Sequence, residues 1–101
     1  MNKALERALR STYRQFGITA KYLKKDILSM LDENLSFEHD LQRAIKIRSN
    51  DINLKRDTEG ILHLPSNEIF FKGKMRKIQS WTFHGNDLEE IILLIEWNGR
   101  W

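Results

Sequence analysis

Near Phe16 the hydrophobic period of this chain changes from that of a helix to that of strands, and few compact folds accommodate that order. Up to Phe16, the residues Leu5, Ala8, Leu9, Thr12, Tyr13 and Phe16 share one stripe when wound at about 100° per residue. Beyond it come short runs of extended character at 18–23, 27–31, 44–48, 61–64, 69–71, 75–83 and 91–97. One amphipathic helix followed by a run of short strands predicts a mainly-β, α+β fold. The expected body is a small antiparallel β-sandwich or barrel over 18–101, with an N-terminal helical arm over 1–17. A body of that kind has little room for the large cleft of a metabolic enzyme. Function is expected on surfaces rather than in a pocket.

At 101 residues the chain reads as one domain. The longest apolar run, 91–95, is strand-sized and well short of the roughly 18–20 residues of a membrane span. The start, Met-Asn-Lys-Ala-Leu-Glu-Arg, has no apolar core of the signal-peptide kind, so export by that route is not expected. Cysteine is absent, which rules out disulfide staples and thiolate metal sites and fits a reducing compartment. The formal charge of +3 is compatible with an ordinary basic surface or with a phosphate-facing patch.

Glycines punctuate the pattern. Gly17 is expected to end the helix in a left-handed conformation, and Gly85-Asn86-Asp87 reads as the turn of a hairpin before the last strand. In that strand Ile91, Leu93, Ile95 and Trp97 fall on one side, Ile92 and Leu94 on the other, so it is expected to be covered twice. Ile45 and Ile47 alternating with Ala44, Lys46 and Arg48 predict a strand with one wet face. Over 75–83 the alternation slips, as a β-bulge around Arg76-Lys77 would cause. The acidic stretch 32–42 reads as a long loop anchored by Leu35, Phe37 and Leu41, or as a loop running into a short helix over 36–44. A second polar loop is expected over 50–59, and loops of this length often carry contacts.

No catalytic set emerges. His39, His63 and His84 lack metal-ligand spacing, the glycines form no phosphate loop, and the carboxylate pairs Asp32-Glu33 and Glu89-Glu90 are adjacent in sequence. Adjacent residues of a strand face opposite ways and cannot share one bond as acid and base. Asp26, Asp51 and Asp57 fall at expected turns, where aspartate bonds its own backbone. No metal or cofactor is expected.

Three features remain as contact candidates. The first is the basic helix face, Lys3, Arg7, Arg10 and Arg14, which suits solvent, an acidic partner or nucleic-acid phosphates. The second is the run around Gly73 with Lys72, Lys74, Arg76 and Lys77. These cations would line a channel or keep a strand edge from aggregating. The third is the aromatic set Trp81, Phe83, Trp97 and Trp101. Trp81 and Trp97 suit a core; Trp101 beside Arg100 suits an interface anchor or a frayed tail.

The order of these signals is itself informative. A helix ends in Arg14-Gln15-Phe16-Gly17, a strand 18–23 follows, then the aliphatic run 27–31 closed by Asp32-Glu33. After the acidic loop comes Ile45-Lys46-Ile47-Arg48-Ser49-Asn50-Asp51, then a Gly73-centred strand pair and a late Leu-rich strand. Over roughly residues 4–96 this resembles the lambda-type head–tail joining (head-completion, neck) proteins of tailed bacteriophages and prophages. Glu59-Gly60 stands where the family often has Gly-Asp, and the hairpin is more basic than the family pattern. The resemblance implies a structural, non-catalytic β-sandwich protein without cofactor that forms a homo-oligomeric ring at the neck. It implies head-completion or portal proteins on one side, tail proteins on the other and DNA passing through. It further implies assembly in the host cytoplasm and a final place in the virion neck, with no membrane. Residues 34–42, 50–59 and the N-terminal arm would be the segments that order on docking. The alternative is a small nucleic-acid-binding module that uses the basic helix face and the basic hairpin.

Overall fold

The computed structural model describes residues 3–32, 41–85 and 88–97. Helix α1 spans Lys3–Phe16, with Glu6 in its first turn and Arg14 in its last, the signs that the helix dipole favours at each end. An Arg10–Glu6 ion pair at 3.3 Å bridges one turn. The strands are β1 (Ile18–Tyr22), β2 (Lys25–Leu31), β3 (Gln42–Arg48), β4 (Lys55–Arg56), β5 (Leu62–His63), β6 (Glu68–Phe71), β7 (Lys74–His84) and β8 (Glu90–Glu96). Six of them close an antiparallel barrel in the order β1-β2-β3-β8-β7-β6, while β4 and β5 form a separate two-stranded ribbon. The mainly-β body with an N-terminal helix is therefore as the sequence predicts.

The barrel is filled by its own side chains. Inward positions on every strand supply Ala20, Tyr22, Ile27, Ile45, Ile47, Ile69, Phe71, Ile78, Ile91, Leu93, Ile95 and Trp97, all buried. This is the outcome expected when alternating strands of a small barrel turn one face to the axis. Ser29 and Arg76 are the polar exceptions among the described residues, and the Ser29 Oγ donates to the Ile18 carbonyl at 2.8 Å. Among the described residues no helix is long and apolar enough to cross a membrane.

Two of the hairpin turns share a geometry. Tyr22 pairs with Lys25 and Phe71 with Lys74, leaving two-residue connections. Both residues of each connection have positive φ, Leu23 and Lys24 at 50° and 65°, Lys72 and Gly73 at 49° and 80°. That is the turn whose twist matches paired strands, and it normally takes Asn or Gly.

Several local expectations change. The phase slip in β7 lies between Ile78 and Ser80, not at Arg76-Lys77. The extra residue is Gln79, whose side chain accepts from Gln42 of β3. Arg76, not Met75, therefore shares the inward side with Ile78, and beyond the bulge Trp81 and Phe83 take it over. Gly17 does not take a left-handed conformation. Its N–H donates to the Tyr13 carbonyl at 2.8 Å, and a Cβ there would lie 2.2 Å from that oxygen and 3.3 Å from Leu28 Cβ. Glycine is needed for close approach rather than for φ. The loop expected over 50–59 contains a 3-10 turn, Ser49–Asp51, and β4. The strand expected over 61–64 is reduced to Leu62–His63, and Ile61 is exposed. A helix over 36–44 cannot extend past residue 41, because Gln42 onward belongs to β3. The expected wet face of β3 is also partly covered: Ala44 is buried, Lys46 and Arg48 half-buried.

Candidate interaction surfaces

The helical arm is held at its C-terminal end. Tyr13 is buried, and its hydroxyl donates to Glu90 Oε2 on β8 at 2.7 Å. Burial first, and then that bond to a carboxylate, raise the Tyr13 pKa well above its ordinary value. Gly17 brings the end of the helix against Leu28 of β2. The helix thus lies outside the barrel over β2 and reaches β8, two strands that flank β3. The rest of the predicted apolar stripe is not packed: Leu5 and Leu9 are half-buried, Ala8 is exposed, and Phe16 is 63% exposed.

The basic helix face is brought together as predicted, in part. Arg7, Arg10 and Arg14 line one shallow groove with Ser11 and Gln15. Arg10 and Arg14 also border a second groove between helix and barrel, shared with Arg48, Asp26 and Asp51. Lys3 is exposed in the first turn. Arg48, on β3, was not singled out by sequence. Its alternation with Ile45 and Ile47 marks it as outward-facing, but nothing local says that a helix end will lie beside it.

The basic hairpin divides. Lys72 and Lys74 are exposed at the β6–β7 turn, and Lys77 is exposed further along β7, opposite Glu68. Arg76 is only 8% exposed and is a structural residue rather than a partner or channel contact. Its guanidinium lies 4.0 Å from the centre of the Trp97 ring. Nε donates to the Phe71 carbonyl at 3.0 Å and Nη2 to the Lys72 carbonyl at 3.1 Å. Arg43 approaches the same ring at 5.7 Å, and Phe71 meets it edge-on with centroids 6.2 Å apart. Two cations and an aromatic edge thus surround Trp97, which fits the core role expected of it. The inward turn of Arg76 follows from strand parity, obscured in the sequence by the misplaced bulge.

A third surface was missed. On the outer face of β1, β6 and β7, Lys21 pairs with Phe70 and Phe70 with Met75. Phe70 is 41% exposed and Met75 54%, and Leu23 beside them in the β1–β2 turn is 60% exposed. These side chains line one shallow groove with Lys21, Lys24, Ser66 and Glu68. The signal was present as Phe70 and Met75 alternating out of phase with the buried Ile69, Phe71 and Ile78.

The β4–β5 ribbon is organised by Asp57. Its Oδ1 accepts from the Glu59 and Ile61 N–H groups at 2.9 and 3.0 Å, and its Oδ2 lies 2.7 Å from His63 Nε2. The bond to His63, then that from Ile61, hold its carboxyl below the usual range. The expected backbone-bonding role of this aspartate is thus what the structure shows. Among the described residues no group of three or more His, Asp or Glu side chains is placed to hold a metal ion. The contact candidates Leu35, Phe37 and Trp101 lie outside the described residues.

No protein family, curated protein or solved structure matches this chain in comparison.

Proposed function

We propose that this protein is a structural assembly component of the phage or prophage neck, a non-catalytic subunit that forms a ring and joins the filled head to the tail. The observation that carries the reading is the helical arm. Fourteen residues of amphipathic helix are clamped at Tyr13 and Gly17 while Ala8 and Phe16 stay open and Leu5 and Leu9 are only half-covered. A helix this short gains its stability from packing, and a neighbouring subunit is a natural cover for the open part of its stripe. The filled barrel agrees with a role in contact, since the space enclosed by the strands is taken up by Ile, Leu, Phe and Trp side chains. Tailed-phage heads and tails that lack this protein, mixed with it and viewed by electron microscopy, should join, and the variant Ala8→Asp/Phe16→Asp should not. Helical circular dichroism equal to that of the wild type would show the variant folded. Joined particles in the absence of the protein, or with the folded double variant, would overturn the reading.

A nucleic-acid-binding module is the second reading, favoured by the groove in which Arg7, Arg10 and Arg14 converge. It has less support because Arg76 is buried and the remaining hairpin lysines sit in the β6–β7 turn and on β7, away from the helix. It predicts affinity for duplex DNA that falls steeply with salt, by about 0.9 logarithmic units per logarithm of salt for each phosphate engaged.

A further inference from the structure

The outer face of β1, β6 and β7 joins two observations that folding of the chain alone does not explain. The first is the apolar set Leu23, Phe70 and Met75, contiguous along one groove and exposed. The second is the conformation of the β1–β2 turn. Leu23 and Lys24 both occupy the left-handed region, which is sterically costly for any residue with a Cβ, and more so for a bulky one. In the same two-residue turn between β6 and β7 the first position, Lys72, is left-handed too, but the second is glycine, so only the β1–β2 turn carries a Cβ at both positions. In the β1–β2 turn a leucine is held under strain and pointed into solvent, where neither the turn nor the core gains from it. Strain of this sort is retained where a surface needs the side chain.

The charges around the set say what it fits. Lys21 and Lys24 line the groove, and Lys72, Lys74 and Lys77 are exposed on the adjoining hairpin. Leaving Lys72 aside, the acids that face the other four cations among the described residues are Glu68, opposite Lys77 in the ladder, and Asp26, which pairs with Lys21 at 3.7 Å, so Lys24 and Lys74 set the sign of the rim. The rim is thus cationic around an apolar centre. Phe70 is the single aromatic of the set, and Leu23 and Met75 beside it are aliphatic and offer no face for base stacking, so the centre favours protein side chains over a run of nucleobases. In the strand order β6 lies across the barrel from β3, the strand between the two that the helix touches, so this face is distinct from the helical arm.

We propose that the Leu23–Phe70–Met75 face is a docking site for an acidic amphipathic segment of a partner protein, its apolar side chains on the groove and its carboxylates on the lysine rim. The proposal is independent of the head–tail role. The test uses the full chain and a fluorescent twelve-residue peptide that alternates leucine with aspartate and glutamate, followed by anisotropy. The peptide should bind with micromolar affinity that weakens with salt, and Phe70→Ser should weaken it at least tenfold. Leu23→Asn is the more telling variant, because it should weaken peptide binding while raising the melting temperature. A loss of binding through misfolding would lower it. Equal binding of a leucine–lysine peptide, or no binding of the acidic one, would overturn the proposal. So would a twelve-nucleotide single strand that binds more tightly than the peptide, which would assign the face to nucleic acid. Sedimentation showing self-association abolished by Phe70→Ser would assign it to a second copy and overturn the proposal equally. Unchanged affinity in Leu23→Asn would overturn it as well, since the proposal places Leu23 in the contact.

Discussion

Replacing Arg76 by alanine should destabilise the fold although the residue is charged and sits in a run of lysines. Three contacts go at once: the guanidinium over the Trp97 ring at 4.0 Å and the bonds to the Phe71 and Lys72 carbonyls. A desolvated cation–π contact is worth about 2 kcal/mol. Bonds from a charged donor contribute roughly 1.5 kcal/mol each in net terms. The cost of keeping a guanidinium away from water opposes them, and a net loss of about 3 kcal/mol is expected. In a domain of this size that lowers the melting temperature by roughly 12–20 °C. Arg76→Met keeps the length and apolar contact of the side chain, so it should lose only about half as much. Arg76→Lys keeps the charge without the planar fork and should fall between them. Thermal unfolding by circular dichroism gives the three values, and Trp97 fluorescence reports the site. An Arg76→Ala protein within about 0.5 kcal/mol of wild type, the range of ordinary surface substitutions, would refute the reasoning. It would mean that the guanidinium is solvated and that the ring gains nothing from it.

Tyr13→Phe should cost about 2 kcal/mol by removing the hydrogen bond to Glu90, measured by denaturant unfolding, with proteolysis reporting looser attachment of α1. In the wild type the raised Tyr13 pKa implies that its contribution is complete below its ordinary value of 10.0 and is lost as pH rises beyond it toward the folded value, which alkaline unfolding would follow. Gly17→Ala should cost about 1–3 kcal/mol, since the new Cβ meets a main-chain oxygen that cannot move without the helix end; its thermal melt checks this. For Asp57 the shift is downward, so its contribution is complete above its ordinary value of 3.8 and fades as pH falls through the lower folded value. NMR titration of the carboxyl should show the depressed midpoint, and Asp57→Asn should remove the acid-side dependence of the ribbon's amide signals.

The elements that could be read from sequence are those set by local periodicity. The helix, the strands expected over 18–23, 27–31, 44–48, 69–71 and 91–97, each within two residues of the strand observed, and the alternation of Ile45 with Ile47 and Ile91 with Leu93 all follow from side chains three or four apart, or two apart. What could not be read depends on pairing. Gln79 is an extra residue only relative to its partner strand, so the bulge was placed too early and the parity of Met75 and Arg76 was exchanged. As a result, a structural arginine looked like one more surface cation of the run around Gly73. Lys55–Arg56 carries no apolar pattern and becomes a strand only because Leu62–His63 and Asp57 close the turn. The glycine at 17 was identified correctly as the helix end, but its reason, a carbonyl of the same helix and a strand beyond it, is tertiary. Of the site candidates, the helix arginines converge because helical spacing alone brings them together, whereas the Leu23–Phe70–Met75 face needs three strands to meet.

Strand β8 lies between β3 and β7, so of the six barrel strands the one that closes the ring comes last in chain order. Until that segment leaves the ribosome, the other five barrel strands have no way to enclose Ile45, Ile47 or Phe71, and the nascent protein carries bare apolar edges. Any product that stops short of Glu90 inherits that state permanently, and aggregation or degradation is its expected fate.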